Sequence, residues 1–134
     1  NKSKFHFKMR DKDNIWPKIF PTSCISTRRK NFQEFIKFIK PKDFASLEID
    51  VRFIIYSKFY NNEYKLIKEK LTVYNNDDTG ITSKIKKFSR KWWQRRNQAH
   101  EYLKYILNYK KIKLSFNLDR IISRLFSQTI KFIK

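Results

Sequence analysis

The chain has almost no glycine and almost no cysteine, with one residue of each in 134. A Walker-type phosphate loop and a dinucleotide-binding fingerprint each need several glycines, so both are excluded. The lone Cys24 excludes an intrachain disulfide framework and a zinc site built from cysteine alone. The longest uninterrupted aliphatic or aromatic run is residues 53–56, far short of the roughly 20 residues that span a bilayer. No transmembrane segment is therefore expected.

Acidic residues are also scarce, because 12 Asp and Glu face 32 Lys and Arg, for a formal net charge of +20. Apolar residues nevertheless reach 40% and aromatic residues 17%, which is enough for the core of one ordinary domain. The excess charge lies at the two ends, with +9 in residues 1–42, −2 in residues 43–78 and +13 in residues 79–134. Concentrated like charge repels itself, and a polyanion is its natural partner.

Alternating apolar residues predict β-structure in the nearly neutral middle of the chain. Residues 47–57 alternate with a period of two, and residues 70–74 would return as a second strand after a turn at residues 61–62. Residues 75–80 are typical of a loop, and residues 111–116 alternate again as a third strand. The hairpin is predicted to be the scaffold of the domain. Its second face would be covered by the preceding helix or by a strand added from a partner protein.

A short helix is predicted just before the hairpin, over residues 31–40. Asn31 and Glu34 have the spacing of a capping box, in which each side chain binds a backbone N–H of the first turn. Pro41 would stop the helix, because the residue before a proline avoids the helical region. The apolar face of this helix contains four residues: Phe32, Phe35, Ile36 and Ile39.

A longer helix is predicted over residues 83–108, where the apolar spacing changes to three and four residues. In this register Phe88 and Trp92 are buried against the hairpin. An exposed basic stripe lies about 100° around the same helix. Its members are Lys84, Lys87, Lys91 and Arg95.

A final helix is predicted near the C-terminal end of the chain. Asn117 suits its N-cap position, and Asp119 would lie in its first turn. Its apolar face is expected to contain Leu118, Ile122, Leu125 and Thr129.

Together these patterns predict a small α+β domain over residues 31–134, in which an antiparallel hairpin or small sheet is packed by helices. Residues 1–30 show little periodicity and include Pro17 and Pro21. They are predicted to form an extended basic arm of the kind that orders on RNA.

Basic residues interleaved with aromatic ones are typical of RNA-binding surfaces, since lysine and arginine neutralise phosphates and aromatic rings stack on bases. Trp92 and Trp93 point about 100° apart on a helix, so Trp93 is interpreted as the ring that contacts a base or ribose. The alternative is that both tryptophans are core anchors. The predicted RNA-binding residues fall in three groups along the chain: Arg28, Arg29 and Lys30; then Lys84, Lys86, Lys87, Arg90, Lys91, Trp93, Arg95 and Arg96; then Lys110, Lys111 and Lys113.

Residues suited to catalysis or metal binding are few. His6 and His100 are distant in sequence, and Cys24 has no base beside it. Asp77 and Asp78 could bind a divalent cation, but a plain polar loop is the simpler interpretation. We therefore expect a protein that is not an enzyme and has no cofactor, no metal and no small-molecule substrate.

Residues with codons rich in A and T, chiefly Lys, Ile, Phe and Asn, dominate the chain. In this basic, glycine-poor composition the whole chain resembles mitochondrially encoded ribosomal proteins of protists with AT-biased genomes. Residues 103–120 also resemble the early part of ribosomal small-subunit protein fourteen, although the later Asn-Arg-Cys and Thr-Gly-Arg signature of that family is absent. The resemblance implies an rRNA-binding protein, with the small subunit favoured.

The expected function is to stabilise rRNA by charge neutralisation in a mitochondrial ribosome, within the mitochondrial matrix. The expected partners are rRNA and neighbouring ribosomal proteins. Two alternatives stay open. The first is an accessory subunit of an organellar membrane complex, whose basic flanks meet acidic subunits or anionic lipid. The second is a basic nucleoid protein that binds DNA.

Overall fold

In the computed structural model, residues 25–61 and 85–129 are described, and these two segments contain four helices and no strand. The prediction of an α+β domain built on a hairpin is therefore wrong for this part of the chain. The predicted arm up to residue 24, the returning strand at 70–74 and the loop at 75–80 lie outside the described residues. The helices are α1 (Arg29–Ile36), α2 (Ile49–Tyr56), α3 (Arg90–Tyr109) and α4 (Leu118–Thr129), and a π-helical turn, Ser57–Asn61, continues α2.

The segment predicted as the first strand, residues 47–57, forms α2 instead. A short apolar run of this kind fits a buried helix as well as a buried strand, so its period alone does not decide between them. In the helix Val51, Ile54 and Ile55 are each no more than 6% exposed. Asp50 lies in the first turn, where the helix dipole favours a carboxylate. Packing and this charge outweigh the strand preference of isoleucine and valine.

The predicted third strand, residues 111–116, is irregular chain that follows the end of α3. Lys111 has a φ of 56°, in the left-handed region. Its N–H donates to the Asn108 carbonyl, and the Ile112 N–H donates to the Leu107 carbonyl, each at 3.0 Å. This is the Schellman arrangement, which satisfies carbonyls left over at a helix end. The segment therefore caps a helix, with lysine in the position that glycine usually takes.

The helix predicted at residues 31–40 is present as α1, shifted toward the N-terminus. Its N-cap is Arg28, which makes no side-chain hydrogen bond there, so the capping box predicted from Asn31 is wrong. The predicted apolar face is only partly correct, because Phe35 is fully buried while Ile36 is 50% exposed.

α3 begins at Arg90, later than the predicted start at residue 83. Ser89 is its N-cap, and the Ser89 Oγ accepts a hydrogen bond from the Trp92 N–H at 3.3 Å. Phe88 has a φ of 62°, so the chain is still turning at this residue. Because Phe88 lies outside the helix and is 68% exposed, the prediction that it is buried is wrong. Trp92 is half-buried.

Aromatic rings from α1, α2, α3 and the segment between α1 and α2 form the core. The centroids of Phe35 and Tyr56 are 5.4 Å apart, and Phe44 meets Tyr102 edge-on at 5.1 Å. Such pairs contribute about 0.5–1.5 kcal/mol each beyond the burial of apolar area. The Tyr102 hydroxyl donates to the Phe38 carbonyl at 3.1 Å, so this buried polar atom is satisfied.

A buried arginine on α2 holds the segment between α1 and α2. Arg52 is 5% exposed, and its guanidinium donates to the Ile39 carbonyl at 2.8 Å and to the Phe44 carbonyl. Burial lowers the pKa of Arg52 from its usual value, because burial penalises the charged form. Both acceptors are backbone carbonyls, so this cation serves the fold and is no part of the basic surface.

The start of α4 agrees with its predicted cap. The Asn117 Oδ1 accepts a hydrogen bond from the Arg120 N–H at 3.1 Å. Asp119 lies in the first turn, as predicted. A short polar side chain followed by an acid is therefore a reliable start signal here.

The face that α4 turns toward α3 is mostly small and polar, apart from Phe126, which stacks on Trp93. Ser123 and Ser127 are 0% and 7% exposed, whereas Leu118 and Leu125 are 62% and 55% exposed. The apolar face predicted for this helix is therefore wrong in direction. Serine side chains let two helices approach closely, and the polar contacts described below hold the pair.

Candidate nucleic-acid interface

Four exposed cations surround the start of α3: Lys86, Lys87, Arg90 and Lys91, which we call the amino-end cluster. A turn holds the first two, because the Ser89 N–H donates to the Lys86 carbonyl at 3.2 Å. The other two lie in the first turn of the helix. Within residues 25–61 and 85–129, no carboxylate is at ion-pair distance from any of the four. Lys84, predicted with them, lies outside the described residues.

The charges at the helix starts divide the four helices into two pairs. α2 and α4 carry Asp50 and Asp119 in their first turns, where a carboxylate offsets the partial positive charge of the helix N-terminus. α1 and α3 have no acidic residue there and begin with two adjacent basic residues each. Because these side chains have the same positive sign as the partial charge of the helix N-terminus, the starts of α1 and α3 favour a bound anion.

The predicted group at residues 28–30 lies at the start of α1. Arg28 is the N-cap, and Arg29 and Lys30 are in the first turn, so the last two belong to a helix and not to an extended arm. All three side chains are exposed. They remain suited to contact a phosphate, now from a fixed helical position.

The third predicted group lies at the opposite end of α3. A 20-residue helix is about 30 Å long, so this group and the amino-end cluster are about that far apart. The Lys110 ammonium lies 5.0 Å from the centroid of the Tyr60 ring, while Lys111 and Lys113 are exposed. A ligand that touches both groups must extend along the whole of α3.

Two predicted RNA contacts, Arg95 and Arg96, join helices to one another. The Arg95 Nε donates to the Glu48 Oε2 at 2.6 Å, which ties α3 to the residue before α2. Arg96 donates to the Asp119 Oδ1 from Nη2 at 2.7 Å and from Nε at 3.2 Å, which ties α3 to α4. Because both guanidiniums already bind carboxylates, the amino-end cluster is the better candidate for phosphate.

Asp119 also meets a buried histidine of α3. The His100 Nε2 and the Asp119 Oδ2 are 2.8 Å apart, and His100 is 3% exposed. Burial lowers the pKa of His100 below 6.5, since it disfavours the charged form more than the Asp119 hydrogen bond favours it. Burial acts to raise the pKa of Asp119, but hydrogen bonds from Arg96 and His100 outweigh burial and lower that pKa. A neutral imidazole donating to a charged carboxylate fits both directions.

The ring predicted to contact a base, Trp93, is 8% exposed and packs inside the α3–α4 contact. It stacks on Phe126 with centroids 4.7 Å apart and planes 17° apart, and it meets Trp92 edge-on at 4.6 Å. The exposed ring beside the cations is Phe88 instead. The sequence contains the signal for this, because Ser89 is a favoured N-cap residue and starts the helix after Phe88.

Side chains that could bind a metal do not converge in the described segments. Within residues 25–61 and 85–129, no group of three His, Cys, Asp or Glu side chains could hold a metal ion. His6, Cys24, Asp77 and Asp78 lie outside these segments. A cleft of about 290 Å³ is lined by uncharged polar residues: Ser46, Gln94, Asn97, Gln98, Ser127 and Gln128.

None of the described helices is long and apolar enough to span a membrane. No protein-family model, curated protein or solved structure matches this chain. Its function is therefore inferred from geometry, charge and composition.

Proposed function

We propose that the protein is a structural rRNA-binding component of a mitochondrial ribosome, with the small subunit favoured. It binds phosphates through the amino-end cluster and through the start of α1, and it catalyses no reaction. The main support for this proposal is that α1 and α3 both begin with basic residues and have no acidic residue in the first turn.

The physical reason is that two positive contributions coincide at each of these helix starts. Lysine and arginine side chains add to the partial charge of the N-terminal N–H groups, and their mutual repulsion is relieved when a phosphate binds. Each neutralised phosphate also releases condensed counterions, which adds a favourable entropy. With a net charge of +20, the chain can meet many phosphates of one polyanion.

Two features favour rRNA as the polyanion: the composition of the chain and the exposed apolar side chains of α4. The basic, glycine-poor, AT-biased composition resembles mitochondrially encoded ribosomal proteins and favours a ribosome, and hence the mitochondrial matrix, over a nucleoid or a membrane complex. The outward apolar residues of α4, Leu118 and Leu125, also suit a protein that has neighbours in a particle. The proposed partners are therefore rRNA and adjacent ribosomal proteins.

The test measures how the affinity of the full chain for an rRNA fragment depends on salt. One variant replaces Lys86, Lys87 and Lys91 with glutamine; a matched control replaces Lys37, Lys42 and Lys104, which are also exposed. Both variants lose the same net charge. The slope of log K against log[salt] should become shallower by about 2–3 in the first variant and change little in the control. Equal slopes in the two variants would show that only net charge matters.

Ribosomal membership is tested by sedimentation of organellar lysate in high salt. The protein should remain with ribosomal particles, and mass spectrometry of the separated subunits should find it in the small one. Recovery with membranes or with DNA would contradict the ribosomal proposal.

A further inference from the structure

One aromatic ring stands exposed in the middle of the amino-end cluster. Phe88 is 68% exposed, with Lys86 and Lys87 before it and Arg90 and Lys91 after it. Phenylalanine gains little free energy from exposure to water, so burial does not account for this placement.

The backbone at this residue is strained. Phe88 has a φ of 62°, in the left-handed region that residues other than glycine seldom occupy. A strained residue persists only where its surroundings hold it, and such residues concentrate at sites that bind ligands. Here the Ser89 cap and the turn to Lys86 hold the backbone.

The ring also rests on a fixed aromatic support. Its centroid is 5.2 Å from Trp92 and 6.1 Å from Trp93. Trp92 in turn lies under the Arg96 guanidinium at 4.7 Å, and Trp93 stacks on Phe126. Because these neighbours are tied to α4, the exposed ring has a defined position relative to the four cations.

We infer that Phe88 stacks on an unpaired base of the bound RNA while the amino-end cluster holds the phosphates on either side of that base. An exposed aromatic ring beside basic side chains is the arrangement by which proteins bind bases in loops, bulges and single strands. A continuous duplex keeps its base faces stacked, so the ligand of this subsite is an unpaired nucleotide. This inference rests on the proposed RNA-binding function.

The experiment compares two probes with equal numbers of phosphates, a 12-nucleotide oligo(U) and a 12-mer of the same backbone with abasic positions. Fluorescence anisotropy gives the affinity of the full chain for each. Wild-type protein should prefer oligo(U), and Phe88→Leu should reduce that preference by on the order of 5- to 100-fold, since leucine is apolar but cannot stack as an aromatic ring. Phe88→Trp should retain it.

Binding to the abasic probe distinguishes this inference from the function on which it rests. Phe88→Leu should bind that probe as wild type does, while glutamine at Lys86, Lys87 and Lys91 should weaken the binding of both probes. If wild type binds both probes equally, or if Phe88→Leu keeps the preference, base stacking is overturned and phosphate binding stands. If wild type binds neither probe, the RNA-binding proposal fails as well.

Discussion

The two sides of α3 are held by different forces. On the side of α1 and α2, aromatic and aliphatic side chains interlock, and Phe35, Tyr56 and Ile106 are almost completely buried. On the side of α4, the buried residues facing α3 include Ser123 and Ser127, and Asp119 binds cationic or hydrogen-bonding groups of α3. Leu118 and Leu125 of α4 point outward, while Phe126 stacks on Trp93 of α3.

The side of α3 that faces α1 and α2 therefore provides most of the stability of the fold, while the side that faces α4 supports the basic surface. Stabilisation by apolar burial changes little with pH or moderate ionic strength, whereas that from hydrogen-bonded ion pairs depends on both. The amino-end cluster and Phe88 lie at the end of α3 that α4 supports, next to Trp93 and Phe126. Core substitutions should therefore cause the largest losses of unfolding free energy, while substitutions on the α4 side should have smaller and condition-dependent effects.

The largest effect is expected for Phe35→Ala in the aromatic core. Removing a fully buried ring leaves a cavity and should cost roughly 3–5 kcal/mol of unfolding free energy. Urea denaturation measures this value. Phe32→Ala on the same helix is the control, because Phe32 is 41% exposed, and it should cost clearly less. Equal losses for the two variants would mean that the core is not centred where α1 meets α2.

A smaller effect is expected for Asp119→Asn, between α3 and α4. The substitution removes the charge that binds Arg96 and His100. The substitution should lower the unfolding free energy, measured by urea denaturation, by about 1–2 kcal/mol. Hydrogen bonds to charged groups contribute more than neutral ones, but this carboxylate is partly solvated. The matched control is Asp43→Asn, at an exposed position, which should change stability by less than about 0.5 kcal/mol. A loss as large as that of Phe35→Ala would contradict the division into two sides.

The sequence predicts the start of α4 correctly, but it misplaces the starts of α1 and α3. Asn117 with Asp119 correctly marks the start of α4, because these residues act through short-range contacts with the backbone. The alternation of residues 47–57 predicts a strand, but whether a short apolar run forms a helix or a strand depends on the surface that covers it. That surface comes from α1 and from α3, and α3 lies far away in sequence.

The candidate site could be predicted in part, for a similar reason. Lysines in a charged run are exposed almost wherever they stand, so Lys86, Lys87 and Lys91 lie on the surface as expected. Whether an arginine binds a carboxylate depends on tertiary contacts such as that between Arg96 and Asp119. The direction of an aromatic side chain depends on where its helix begins, and the sequence pattern places the start of α3 too early.

A pH-dependent loss of stability is expected from His100. Its pKa is lowered in the folded protein, so between that value and the usual 6.5 the unfolded chain binds more protons than the folded one. Stability is then fully present above about pH 6.5 and falls as the pH is lowered, by no more than about 1.4 kcal/mol per pH unit for one group. Urea denaturation at pH 7.5 and 5.5 measures this loss. In His100→Gln, which cannot titrate, the loss should be smaller; an unchanged loss would assign it to other groups.

The smallest effect on stability is expected for Phe88→Ala. The helix register inferred from sequence places Phe88 in the core and predicts a loss of roughly 3–5 kcal/mol, whereas its 68% exposure predicts a change below about 0.5 kcal/mol. Phe88→Gly should be somewhat more stable than Phe88→Ala, because glycine adopts a φ of 62° without a steric penalty. Urea denaturation of the wild type, Phe88→Ala and Phe88→Gly measures these differences in unfolding free energy. If Phe88→Ala lost as much unfolding free energy as Phe35→Ala, Phe88 would lie in the core and could not stack on a base at the surface.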